Sequence, residues 1–299
     1  MNPRKKKSEI LDKATETFLS NVRKVEKAVW RFFRELLAKL DRTGGKIDNS
    51  NYNLDLLLSL DRDLVGVFTE GSKASLSKYL ANFDRIEQLN RLMYRGFLSQ
   101  DMASRVSRLV FSVERTILVD NVTRGLTAPA LIRDQMIQPL RKLLYQGIVF
   151  SQPIQVLRSN LRKEILTQEG SKSKLLRYTQ QISQDAISQF DGAINDRIRD
   201  EVGLDGFYYI GSLIRSSRAN CNELVTGTGR FKHLAVEPGL YRTADLPEII
   251  SLARGRSGWN ENTTPETFAQ YRGGYSCRHE VVYVPLEDEE AVEKAGTLQ

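Results

Sequence analysis

Cysteine and histidine are nearly missing from this chain of 299 residues: two of each, Cys221, His233, Cys277 and His279, all in the last third. The first 220 residues are therefore excluded from thiol, disulfide and imidazole chemistry and must act through packing and charge. Two cysteines at this length make no disulfide framework, which points to a reducing compartment. No apolar run reaches about 18 residues, so no membrane-spanning helix is expected. Arg4-Lys5-Lys6-Lys7 leads into Ser8-Glu9 and not into an apolar stretch, which does not read as a signal peptide. Also lacking are RNP-like, zinc-finger and helix-turn-helix signatures, a Ser-His-Asp order, a Gly-rich phosphate loop and a paired-carboxylate motif.

Proline and glycine are sparse before about residue 203, where Leu, Ile, Val, Arg, Gln and Ser dominate, and this composition predicts helix. Leu11, Ala14, Phe18, Val22, Val25, Val29, Phe32, Leu36 and Leu40 recur at steps of three or four, the stripe of one long helix. Such a helix could pair with a second chain. Gly44-Gly45 should end it. Further helical patterns run from about 53 to 124, from Pro129 to Gln146, from Pro153 to about Thr167 with Ser151 as cap, and up to about Glu201. Asp185, Asp191, Asp196 and Asp200 read as a solvated face of the last of these. No strand signal precedes Gly203.

Residues 1–46 carry 13 Lys or Arg and 6 Asp or Glu, a net of +7 that equals the charge of the whole chain, so the remainder is neutral. An arm of this polarity suits nucleic acid or an acidic partner surface. Arg4, Lys5, Lys6, Lys7, Arg23, Lys24, Arg31 and Arg34 are its candidate contacts. Any contact with DNA would go to phosphates and weaken with salt.

After Gly203 the character changes to aromatic, β-prone Phe207-Tyr208-Tyr209-Ile210, then to Gly-, Thr-, Asn- and Pro-rich sequence with a short helix expected from Ala244 to Arg254 and a strand from Glu280 to Val284. The expected fold is mainly α: an elongated helical N-terminal region followed by a small α+β C-terminal module. Its divisions are a basic helical arm (1–46), a helical domain (47–202), the α+β module (203–286) and an acidic mobile tail (287–299). A module of about 80 residues has a thin core and would benefit from a cross-link. Cys221, His233, Cys277 and His279 would make a tetrahedral zinc site if all four converged, although their spacing matches no familiar zinc signature. Two buried neighbouring thiols are the plainer outcome. His279 with Glu280 and nearby arginines would be the basis of the rival reading, a small phosphodiester-cleaving enzyme.

Three stretches together resemble a known family. They are Phe207-Tyr208-Tyr209-Ile210-Gly211, then Arg218-Ala219-Asn220-Cys221-Asn222-Glu223-Leu224, then Cys277-Arg278-His279 ahead of a strand ending in proline. Over about residues 170–286 this is similar to the C-terminal module of the head-morphogenesis, or minor head, proteins of tailed bacteriophages (the phage Mu F-like group). Arg218, Cys221, Leu224, Cys277, Arg278 and His279 carry the likeness. The resemblance implies a virion component, in the host cytoplasm during assembly, that associates with portal or capsid proteins and acts in head assembly or in DNA packaging or ejection.

Overall fold

The computed structural model describes residues 3–297 except 128, 169, 170, 273, 275, 276 and 278. Arg278 therefore lies outside the described residues, and so do the side chains of Arg4 and Lys5. The chain is mainly helical, with one four-stranded antiparallel sheet in its C-terminal part. It forms two compact units, one from residues 1–13, 81–119 and 184–299, the other from 14–80 and 120–183. The consecutive division expected from sequence is not the observed one. The C-terminal segment shares its unit with the whole of the fourth helix in chain order and with stretches of the first, third, fifth and ninth, which supply the apolar cover that a thin sheet module lacks.

The second unit holds most of helix α1 (Pro3–Lys39). From Ala14 to Leu40 the seam is as read from sequence with one exchange: Phe33 is fully buried, while Phe32 is only partly covered; the Leu11 side chain lies outside the described residues. The helix leads into a two-stranded hairpin, β1 (Arg42–Thr43) and β2 (Lys46–Ile47), that the sequence pattern did not reveal. Gly44 and Gly45 both have positive φ, 59° and 79°, which suits a two-residue hairpin turn. Helix α2 (Asn51–Asp55) contributes buried Asn53, which accepts from the Asp41 N–H and donates to the carbonyls of Asp41 and Asp48, closing the hairpin. One long helix, α3 (Leu60–Phe97), begins here; α4 (Gln100–Arg108) belongs to the first unit, and α5 (Ser112–Thr127) ends in the second. Helix α6 (Pro129–Ile132) joins α7 (Gln138–Val149) through a π-helical turn over Arg133–Ile137. Pro139 lacks the N–H that a regular ladder needs, which accounts for the irregular turn ahead of it. Helix α8 (Ile154–Ile165) is preceded by Pro153; Ser151 does not cap it and instead has a positive φ of 47°.

Helix α9 (Lys174–Val202) is the spine of the first unit, where residues 190–196 are buried without interruption. The expected solvated face of aspartates is thus corrected: Asp191 and Asp196 are buried, Asp185 is half-buried, and only Asp200 is exposed. Strand β3 (Gly206–Ile210) follows, then α10 (Ala219–Thr226), β4 (Ala235–Glu237), β5 (Leu240–Arg242), α11 (Leu246–Ala253), α12 (Phe268–Tyr271), β6 (Glu280–Val284) and α13 (Glu289–Gly296). The sheet order is β4-β5-β3-β6. Every residue of β3 and β6 is buried, so both faces are covered and the strands read as continuous apolar runs. The acidic tail is not a mobile coil. Asp288 caps α13 through the Ala291 N–H, and Ala291 and Ala295 are buried.

Candidate functional site

Pairing of Tyr209 with Val281 and of Ile210 with Glu280 lays β3 beside β6, so His279, just before β6, comes alongside the end of β3. The rings of Tyr209 and His279 stack at 5.5 Å. Gly211 permits this, since a Cβ there would lie 2.7 Å from His279 Cδ2. Helix α10 starts after Arg218, which places Cys221 in its first turn and Leu224, fully buried, one turn later on the same face. Tyr241 fixes this helix by donating from its hydroxyl to the Leu224 carbonyl at 2.8 Å. Arg256 braces it from outside through Glu223 and Asn220.

Three of the four soft ligand residues meet here. Cys221 Sγ and Cys277 Sγ are 3.9 Å apart, both thiols are free and buried, and His279 Nδ1 lies 3.4 Å from Cys277 Sγ. Potential ligand atoms of these three residues all fall within 4.8 Å of one another. The fourth, His233, does not join them: it is exposed and contacts Glu248 at 2.9 Å. It follows α10 on a turn that faces solvent, so a site drawing on all four is ruled out by position. The sequence reading missed Tyr209, whose hydroxyl lies 3.5 Å from Cys221 Sγ and 3.6 Å from Cys277 Sγ. Its place in the Phe-Tyr-Tyr-Ile run looked like sheet packing alone.

The electrostatics divide the two thiols. The hydrogen bond from Cys221 holds Cys277 well below the ordinary thiol range against the opposing effect of burial, with His279 and Arg272 acting in the same sense. That shared bond, together with burial, pushes Cys221 up. Burial raises Tyr209 far above the usual phenol range, and the neighbouring sulfurs add to it.

A second buried polar group in this unit corrects the basic arm. Lys7 is 1 % exposed; its Nζ contacts Glu280 Oε2 at 2.8 Å and Asp191 Oδ1 at 2.9 Å and donates to Asn90 Oδ1 at 3.1 Å. It cannot also face a phosphate. Lys6, Arg23, Lys24, Arg31 and Arg34 are exposed. Lys7 is seven residues before Ala14, two helical turns, and so continues the apolar seam; that register was the available signal.

Asp196 completes the polar core. It accepts from the Tyr283 hydroxyl at 2.7 Å and from the N–H groups of Ala269 and Gln270. Burial dominates and pushes its carboxyl up to about 7. Because the folded value lies above the ordinary 3.8, its stabilisation is complete below the unfolded range and is lost as pH rises through about 7. Between these limits unfolding free energy should fall by at most about 1.4 kcal/mol per pH unit. Chemical denaturation at several pH values should show that slope, and Asp196→Asn should flatten it; an unchanged slope would refute the assignment.

Comparison with known proteins adds no relative: no family model matches the chain, and no curated protein or solved structure is significantly similar to it.

Proposed function

We propose that this protein is a minor head component of a tailed bacteriophage, associating with the portal or the capsid interior. One observation carries the reading. The segments that bear the resemblance, Cys221 to Leu224 and Cys277 with His279, are far apart in sequence yet form one buried cluster on Tyr209. The arrangement favours a structural unit over a nuclease. Cys277 and His279 are both buried, and the imidazole Nδ1 faces sulfur, so this cluster offers no exposed base to a phosphodiester. The exposed Lys6, Arg23, Lys24, Arg31 and Arg34 supply charge for an acidic partner or for DNA phosphates.

Purified virions test this directly. The chain should be present at low copy, in fixed ratio to the portal, and neutralising Arg23, Lys24, Arg31 and Arg34 together should reduce its retention. Virions that lack the chain altogether would refute the proposal.

A further inference from the structure

We infer that Cys221, Cys277 and His279 hold one zinc ion, with the Tyr209 hydroxyl at the fourth corner. The argument is metric. A tetrahedral zinc with Zn–S of about 2.3 Å and Zn–N or Zn–O of about 2.0–2.1 Å needs S···S edges of about 3.8 Å and S···N or S···O edges of about 3.5 Å. The observed Sγ···Sγ edge is 3.9 Å, the Cys277 Sγ to His279 Nδ1 edge is 3.4 Å, and the Tyr209 hydroxyl lies 3.5 and 3.6 Å from the two sulfurs. These are four of the six edges of the tetrahedron; a fifth, between the ligand atoms of Cys221 and His279, lies within 4.8 Å, and the residues come from three separate segments.

Secondary structure fixes the places of three of these residues. Tyr209 sits on a central strand, Cys221 in the first turn of α10, and His279 at the start of β6 against Gly211. Two thiolates and an imidazole are a soft donor set that suits zinc over magnesium or calcium. Binding releases the thiol protons, and the phenol proton if Tyr209 ligates as phenolate, to solvent. A narrow crevice lined by Asp185, Ser188, Gln189, Arg272 and Cys277 reaches one ligand from outside. A plain hydrogen-bonded pair of thiols would occupy the same atoms, and metal loading separates the two arrangements.

The full chain, stripped with chelator and kept reduced, should be titrated with cobalt(II) alone and then zinc(II) alone. One cobalt per chain is expected, with thiolate-to-cobalt charge transfer and the intense visible bands of a tetrahedral ion, abolished when zinc displaces it. Cys277→Ser should lose the charge-transfer band, and Tyr209→Phe should keep it while binding about 10–100-fold more weakly. If the cysteine variant does not fold, alkylation of the native protein decides: zinc should protect both thiols. Absence of uptake by folded wild-type protein, or equal alkylation with and without zinc, would overturn the inference. Metal loading is read on isolated protein and virion content on particles, so either result can fail without the other.

Discussion

Replacing Lys7 with methionine is expected to lower the free energy of unfolding by about 3–5 kcal/mol, the range found when one partner is removed from a buried ion pair. The lysine is fully enclosed between Asp191 on α9 and Glu280 on β6. Burial by itself would lower its pKa, but the two carboxylates carry it above the ordinary 10.5. Asp191 shows the converse. Burial pushes it up, yet Lys7 and Arg272, with the hydrogen bond from Asn90, bring it below the usual carboxylate range. With methionine in place of Lys7, Asp191 would keep the hydrogen bond from Asn90 and the cationic charge of the more distant Arg272, 3.6 Å away.

The signs of these shifts set the pH dependence. The depressed Asp191 contributes above the ordinary carboxylate range and is lost as pH falls through its folded value. The raised Lys7 contributes below 10.5 and is lost as pH rises through its own. Across neutral pH both contributions are therefore complete. In Lys7→Met they are gone, and the two buried carboxylates, without the cation they share, make the loss greatest at neutral pH and smaller on acidification. Urea denaturation at pH 7 and pH 4 measures both points. A double variant, Lys7→Met with Glu280→Gln, should recover part of the stability, because it removes one of the two carboxylates that lose the lysine while Asp191 keeps Arg272. A loss below about 1 kcal/mol for the single variant would mean that the lysine is not enclosed.

Gly192→Ala should be about as damaging, at roughly 3 kcal/mol or more, the upper end of the range for overpacking. A methyl group there would lie 2.1 Å from the carbonyl oxygen of Ala269 and 2.5 Å from the Gln270 Cα. Both are backbone atoms, so no rotamer change relieves the contact. Helix α12 cannot retreat easily either, because Asp196, one turn further along α9, accepts from the N–H groups of these same two residues. The effect runs against helix propensity, which favours alanine over glycine by about 1 kcal/mol. Gly96, with open space around its Cβ position, provides the control: there the same substitution should be neutral or stabilising. Thermal or urea unfolding of the two variants side by side checks the pair, and equal behaviour would refute the close packing of α9 on α12.

Much of the architecture was readable from periodicity and residue type. The seam from Ala14 to Leu40 and the helices ending near Ile165 and Val202 rest on local spacing that repeats at about 3.6 residues, and the strands at Phe207 and Glu280 on their aromatic and β-branched residues. The hairpin at Arg42–Ile47 escaped because its strands are two residues each, too short for alternation to register. The α13 helix escaped because a run of Glu287-Asp288-Glu289-Glu290 reads as solvated charge, although Asp288 is a helix cap.

The candidate site was legible in its ingredients and not in its membership. Four residues were eligible by type, and the rarity of Cys and His in the chain pointed to them. Which three meet depends on pairing between β3 and β6 and on where α10 begins, and those are long-range contacts that no local window contains.

Helical character, the basic start and the confinement of sulfur and imidazole to one segment are set by the residues in their order, since each follows from neighbours a few positions apart. Tertiary packing alone decided which carboxylates would enclose Lys7, that Asp191 and Asp196 would be core residues, that Tyr209 would face two sulfurs and that His233 would face water. The physical reason is the same in each case: a side chain's charge state and partners depend on what the rest of the chain folds over it, and burial converts a residue that spacing marks as surface into one whose desolvation must be matched by a specific partner.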